Sequence, residues 1–406
     1  MNQQLDVIIV GAGVAGLSCA RRLHQAGRSF LLCDGADRVG GRVATDLHEG
    51  FRLDRGFQVL LTAYPEARKQ LDYEALQLRH FYAGALVRFG GEWHRVADPF
   101  RHPVDGLRGV FNPIGSLADK IRVGLLRLRG FRFPKQGPGV SAFVALRSAG
   151  FSESIIERFF RPFLGGVFLE NELVTTASKL EFVMRFFAQG DTAVPALGMG
   201  EIPQQLAASL PASSLRLGTR VASVDESGVT FENGERVNGR NVVIATDLLE
   251  THRLLGDREE TPAMNSVSCL YFSAPSAPVD EAMIVLNGDG HGPINNLSVM
   301  SSAEYTPPGR HLISVSVVDR EAVGAPDLEE RVRRQLVEWF GAGASDWPLL
   351  RIYRIPGAVP SQPVFETRQP CVRQGIYVCG DHCGIASLNT ALASGRLAAE
   401  AILKNS

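Results

Sequence analysis

The stretch LDVIIVGAGVAGLSCARRLHQAGRSFLLCD, Leu5 to Asp34, decides the fold. Leu5–Val10 is an apolar run that stops at a glycine. Val14–Gln25 sets Leu17, Ala20 and Leu23 on one helical face, and Gly27 ends it. Ser29–Cys33 is a second apolar run, closing on Asp34. Strand, helix and strand in this order open a doubly wound parallel sheet. Gly11, Gly13 and Gly16 form GxGxxG at the first turn. Gly11 permits the tight turn, Gly13 lets backbone approach a pyrophosphate, and Gly16 lets helix and strand pack closely. The helix start, with Ala15 in its first turn, offers unpaired N–H groups and partial positive charge to phosphate. Asp34 is placed to accept hydrogen bonds from ribose hydroxyls.

Working outward, a length of 406 residues predicts two domains. Lys plus Arg total 42 against 43 Asp plus Glu, a balance that argues against a nucleic-acid partner. No run reaches the length of a membrane span, and no basic residue precedes the first apolar run as in a signal peptide. The six cysteines show no CxxC spacing, so neither zinc nor a disulfide framework is indicated, and buried reduced thiols of a cytoplasmic protein are expected. No metal site is expected.

The βαβ rhythm is lost after about Ala75. Later expectations are a helix over Ile202–Leu210, paired strands over Arg216–Val224 and Gly228–Phe231, and a turn at Asn233-Gly234. Buried strands are expected over Asn241–Thr246 and Gly375–Cys379, and strands over 268–275 and 311–318. Helices are expected over Leu328–Phe340 and Thr390–Leu403.

After Asp34 come Gly40, Gly41 and Arg42; the arginine would give a charge-assisted hydrogen bond to the pyrophosphate. With GAGVAGLSCARRL and Asp34, this block resembles the flavin-containing amine oxidase superfamily: amine oxidases, protoporphyrinogen oxidases, phytoene-type desaturases and renalases. A separate resemblance lies at the other end, where Val378-Cys379-Gly380-Asp381 precedes Ser387-Leu388-Asn389-Thr390. The resemblance implies that Asp381, after Gly380, binds the ribityl chain of FAD. It also puts the Leu388 N–H, with Asn389 beside it, at the flavin pyrimidine, where a helix N-terminus favours negative charge. Phe51–Leu60 (FRLDRGFQVL) is similar to the family's turn against the isoalloxazine, which puts Gly56, Phe57 and Gln58 there. Phe57 and Gln58 are candidates to line flavin N5, and no catalytic acid or base is assignable. Val221 would meet the adenine, and Ala245 lies in the closing strand. The implied fold class is α/β: a discontinuous, GR2-type Rossmann-like FAD-binding domain (1–75, 195–260 and 355–406) with an inserted α+β substrate-binding domain (76–194 and 261–354).

The implied activity is FAD-dependent hydride abstraction of the desaturase or dehydrogenase type. The family's amine oxidases carry a lysine near flavin N5 and an aromatic at the position matching Ser387; no lysine lies between Lys179 and Lys404. Alternatives are an oxygen-using oxidase of amines or porphyrinogens, a redox-neutral isomerase or mutase, and a non-enzymatic FAD-binding protein. Phe151, Phe159, Phe160, Phe163, Phe168, Phe182, Phe186 and Phe187 either pack a core or wall an apolar substrate tunnel. Lys120, Arg122, Arg127, Arg129, Arg132, Lys135 and Arg147 form an acid-free stretch in which Ile121, Leu125 and Leu128 share a helical face. Residues 120–136 could therefore touch an anionic membrane from its cytoplasmic side. His382, beside Asp381, is the histidine nearest the flavin motif. The sequence does not speak to oligomeric state.

Overall fold

The structure is a computed structural model that describes residues 4–133, 139–256, 263–300, 304–364 and 366–405. Val7–Val10 pairs in parallel with Phe30–Cys33 on one side and with the strand Arg236–Ile244 on the other. Ile376–Val378 extends the parallel set beyond Ile244. Parallel strands covered on both faces must be apolar throughout. Val7, Ile8, Ile9, Val242, Val243 and Ile244 are accordingly wholly buried.

Arg216–Val224 proves to be two strands. Gly218 takes a positive φ of 67° and splits it. Leu215–Arg216 joins the sheet beside Phe30–Cys33, while Val221–Asp225 forms an antiparallel ladder with Gly228–Phe231. Period-2 alternation cannot reveal that break, because both halves keep the same phase. Helix Leu328–Phe340 has the expected bounds, and other expected elements stand with shifted ends: helices Glu201–Ala208 and Leu388–Lys404, and strands Met264–Ala274 and His311–Val317.

The strands of this first sheet come from residues 5–33, 215–244 and 371–378. A second, seven-stranded sheet draws on residues 84–97, 264–317 and 349–360. Its strand Leu349–Pro360 runs unbroken through the boundary expected at residue 355. It pairs with Met264–Ala274 on both sides of that point, with a register shift between Ile355 and Val359. Helix Leu328–Phe340 covers this sheet with Leu328, Val332, Leu336 and Trp339.

Of the eight phenylalanines, Phe182 and Phe186 pack with Tyr64 and the other six divide between two jobs. Phe151, Phe160 and Phe168 are buried in a helical core with Leu146, Leu164 and Leu180. Phe159, Phe163 and Phe187 are only half-buried and form one wall of a cavity, Phe159 and Phe163 stacking at 5.6 Å. A wide π turn over Ile156–Phe160 separates the neighbours Phe159 and Phe160, one facing the cavity and the other the core. Five cysteines are buried and Cys371 is exposed, all as free thiols. Among the described residues no helix is long and apolar enough to cross a membrane.

Candidate active site

One continuous cavity of about 1610 Å³ joins the two sheets. That exceeds the space a single drug-sized ligand needs, so a dinucleotide and a substrate can share it. Its first end is the glycine turn. Gly11 has φ 109°, and a Cβ there would lie 2.7 Å from Ala245 O. A Cβ on Gly16 would lie 1.9 Å from Gly11 O, which makes Gly16 a packing glycine; it does not line the cavity. Gly13 is the opposite case: a Cβ there meets nothing within 4 Å. Gly13 is also the N-cap of Val14–Gln25, with no side-chain cap and no acidic residue in the first turn. Gly13 and Ala15 line the cavity. The helix start thus presents bare N–H groups to it, the arrangement that binds phosphate.

Asp34 is drawn onto this turn. Its Oδ2 accepts from Ala12 N at 2.7 Å and its Oδ1 from Ala36 N at 2.8 Å. Asp34 and Val221 line the same end. Gly40 and Gly41, both at positive φ, pass close to the turn, with Gly40 N donating to Ala12 O at 2.8 Å.

The sequence sends Arg42 to pyrophosphate and Asp381 to a ribityl chain. In the structure they meet: Arg42 Nη1 and Nη2 donate to Asp381 at 3.0 and 2.6 Å, and Nη1 also to Ala358 O at 2.9 Å. Asp381 raises the Arg42 guanidinium above its usual range, against the opposing effect of burial. Burial alone would raise the Asp381 carboxyl. The Arg42 charge, with the two Arg42 hydrogen bonds, more than offsets that and holds it well below the ordinary carboxylate range. Both side chains line the cavity. His382 does not; its ring lies behind Asp381, with Nδ1 3.9 Å from Oδ1.

The helix Leu388–Lys404 brings a second N-terminus to the cavity. Ser387 caps it by accepting from Thr390 N at 3.1 Å, and Leu388 lines the wall. This helix and Val14–Gln25 touch where a Cβ on Gly395 would lie 2.0 Å from Ala15 O. Ser18 Oγ also donates to Leu392 O at 2.7 Å. The close contact is what lets two helix starts serve one cavity. Asn389 departs from the expectation. Its Oδ1 accepts from Glu66 N at 3.0 Å, so its side chain holds a neighbouring helix start and does not line the cavity. Position beside Leu388 suggested the cavity, but the next residue on a helix points about 100° away.

Gly56, Phe57 and Gln58 line the middle of the cavity. The Gln58 amide donates to Arg42 O at 2.9 Å and Arg55 O at 3.0 Å, which fixes the turn. Beneath it Asp54 is fully buried. Burial pushes its carboxyl up to about 6 despite hydrogen bonds from Thr45, Met199 N and Tyr305.

Lys179 was not expected here. It enters the cavity from the first turn of helix Ala177–Gln189, 2% exposed, with Nζ 5.5 Å from the centre of the Phe168 ring. The only sign in the sequence was negative: Lys179 bounds the lysine-free span, and its helix is distant in the chain from every flavin motif. Asn296 and Ser316 of the second sheet also line this end, and sequence gave no sign of them.

A sequence model of the family described as flavin containing amine oxidoreductase matches residues 14–403. The chain belongs to this family. This flavin amine oxidoreductase is 22% identical over 462 residues to the 15-cis-phytoene desaturase of Capsicum annuum, covering 100% of this chain and 78% of the relative. Its fold matches the putative protoporphyrinogen oxidase of Exiguobacterium sp. 255-15 with a TM-score of 0.77 at 19% identity, over 100% of each chain. It also matches an oxidoreductase of Methanosarcina mazei with a TM-score of 0.77 at 17% identity, over 98% of this chain and 100% of that one. The protein is therefore an oxidoreductase whose cofactor is FAD. The residues present fit that cofactor: an open glycine cradle at Gly13, a carboxylate at Asp34, a charged pair at Arg42–Asp381 and a second helix start at Leu388 all face one cavity.

Proposed function

We propose that this flavin amine oxidoreductase removes two hydrogens from an extended or polycyclic apolar substrate drawn from an anionic lipid surface. The observation that carries this reading is continuity between the cavity and an exposed apolar stripe. Beyond the flavin-binding residues the wall is Phe159, Phe163 and Phe187, and the lining continues to Leu117 and Ile121. Those two are 58% and 55% exposed, and they share one face of helix Leu117–Leu128 with Leu125 and Leu128. Phe100, Leu107 and Phe111 of the preceding segment are exposed as well. Apolar surface of this extent marks an interaction site. Arg108, Arg129 and Arg132 are exposed beside it, charges suited to anionic headgroups.

The positive stretch is less uniform than its sequence suggests. Lys120 donates to Val110 O and Asn112 O, and Arg127 pairs with Asp98 at 3.1 Å, so both turn inward. Lys135 lies outside the described residues. Leu125→Glu with Leu128→Glu should cut binding to phosphatidylglycerol vesicles at least tenfold, from about 2 kcal/mol of lost apolar contact. Both residues are exposed and outside the cavity lining, so melting temperature and FAD content should not change. Vesicle binding equal to that of the unaltered protein would refute lipid docking.

FAD, when bound, would supply the two-electron acceptor for this loss of a hydride and a proton, with a quinone as the final acceptor of both electrons and two protons. The protein's share is an apolar sleeve that orients the chain and excludes water, with Phe57 and Gln58 on the wall. Ser387, a small residue that caps its helix, stands where the family's amine oxidases carry an aromatic. The decisive experiment is anaerobic photoreduction, then mixing with aerated buffer or a quinone while following flavin absorbance. Fast reoxidation by quinone and slow reaction with oxygen are expected. Fast reaction with oxygen and release of peroxide would restore the oxidase reading, which Lys179 in the cavity favours. Failure of both would favour redox-neutral chemistry.

A further inference from the structure

Lys179 is a buried cation that none of the flavin-holding contacts uses. Its side chain is enclosed, its ammonium lies over the Phe168 ring, and no described residue accepts a hydrogen bond from it. Burying an ammonium without a partner is costly, so its retention calls for a function.

Its position is built from the loop that leads into Leu388. The Gln362 side chain donates to Gly384 O at 2.7 Å and accepts from Ala386 N at 2.9 Å. Thr176, the N-cap of the helix carrying Lys179, donates its N–H to Gln362 O at 2.9 Å. One glutamine thus ties the start of the Lys179 helix to the segment that presents the Leu388 helix start. Leu169, in the cavity wall next to Phe168, holds a left-handed conformation with φ 57°.

The charges facing Lys179 are few. Asp381 and Glu170 both act on it, from the flavin side and from the Leu169 turn, and neither forms an ion pair within 4 Å. Asp381 is already neutralised by Arg42 and backed by His382. One Glu170 oxygen accepts from Thr175 N, while Oε2 has no partner. Desolvation pushes the Lys179 ammonium down to about 8 despite both carboxylates. A cation so placed responds strongly to any negative charge that develops in its cavity.

We propose that Lys179 stabilises the negative charge that FAD gains on reduction, so that it sets the cofactor's potential and couples reduction to proton uptake at its own side chain. This rests on FAD occupying the Asp381–Leu388 end of the cavity. Two electrons entering next to Lys179 raise its proton affinity. Below pH about 8 it is already charged; above that, reduction draws one additional proton from solvent onto Nζ. The substrate and the later acceptor are unaffected by this balance.

The test is the midpoint potential, measured by dye equilibration on substrate-free holoenzyme from pH 6 to pH 10 (a range chosen to bracket the value of about 8). In the unaltered protein the potential should fall more steeply above pH about 8, by one further proton per two electrons. Lys179→Met should lose that break and lower the reduced-to-oxidised ratio at least tenfold at fixed poise, about 30 mV for a two-electron couple. Lys179→Arg should keep the ratio and shift the break out of range. Met is close to isosteric with the lysine stem, so FAD content should persist and the melting temperature should hold or rise. A Lys179→Met enzyme with full FAD content and an unchanged potential overturns the proposal. So does loss of FAD from a normally folded variant, which would make Lys179 a binding group. Should the variant not fold, absence of a break in the unaltered protein overturns it independently. Flavin content, read first from absorbance, separates failure of this role from failure of the FAD site itself.

Discussion

Gly13→Asp is expected to leave the apoprotein as stable as before, or slightly more so, and to abolish FAD retention. Gly13 has φ −69°, a conformation open to any residue, and its missing side chain faces open space. It is also the N-cap of Val14–Gln25, where Asp improves on Gly by a few tenths of a kcal/mol. The same carboxylate stands where a pyrophosphate approaches the helix start. Like charges about 4 Å apart in a partly buried setting repel by about 4 kcal/mol, roughly three decades in Kd. Gly16→Ala is the matching control with the reverse outcome. Its Cβ has no room against Gly11 O, so the apoprotein itself should lose about 1–3 kcal/mol. Thermal unfolding of both apoproteins, beside flavin absorbance after desalting, reads both effects. Retention of FAD by Gly13→Asp would mean that the cradle does not hold phosphate.

The second large effect is expected at Asp381. Asp381→Ala strips Arg42 of its bidentate partner, leaving Ala358 O as the only acceptor shown for that guanidinium. A wholly dry pair broken on one side costs about 3–5 kcal/mol. Arg42 keeps 36% of its side chain exposed, so solvent screening reduces the loss to about 2 kcal/mol. FAD affinity should fall further, by about two decades, because a group expected to hold the ribityl chain goes as well. The pH dependence has a definite sign. The Asp381 carboxyl is depressed below its ordinary 3.8, so the pair's stabilisation is complete above that value and drains away as pH falls below it. Acid titration of stability should therefore show a step below pH 3.8 that Asp381→Asn lacks. Asp54 works in the other direction. Burial raises its carboxyl to about 6, so stability is lost as pH rises from 3.8 through 6, and the two groups together favour mildly acidic conditions.

Most of the cofactor site was legible in the sequence because it is made of local devices. A strand, a tight glycine turn and a helix start lie within a dozen consecutive residues, and each needs a particular residue type. Gly11, Gly13 and Gly16 could even be given separate tasks before any coordinates, and the spacing of backbone atoms around them matches those tasks. Less was legible where a side chain's direction depends on packing. Asn389 adjoins Leu388 in sequence but serves Glu66, and Arg216–Val224 alternates smoothly but breaks at Gly218. The boundary expected at residue 355 falls inside one strand, which pairs with Met264–Ala274 on both sides of a register shift at that point.

By itself the sequence determined that the chain opens with a dinucleotide-binding βαβ unit, that its final helix repeats the device, and that the family is a flavin-dependent one. The first rests on short-range stereochemistry, which a linear pattern records in full, and the other two rest on resemblance to the family's motifs. The tertiary structure alone decided what shares the cavity with those motifs. It split the phenylalanines into core and wall, turned Lys120 and Arg127 inward, and brought Lys179 into the same cavity as Asp381 from two hundred residues away. Which long-range partners meet follows from how two sheets and their helices pack. No spacing along the chain encodes that, because contact between distant segments depends on the whole core being assembled.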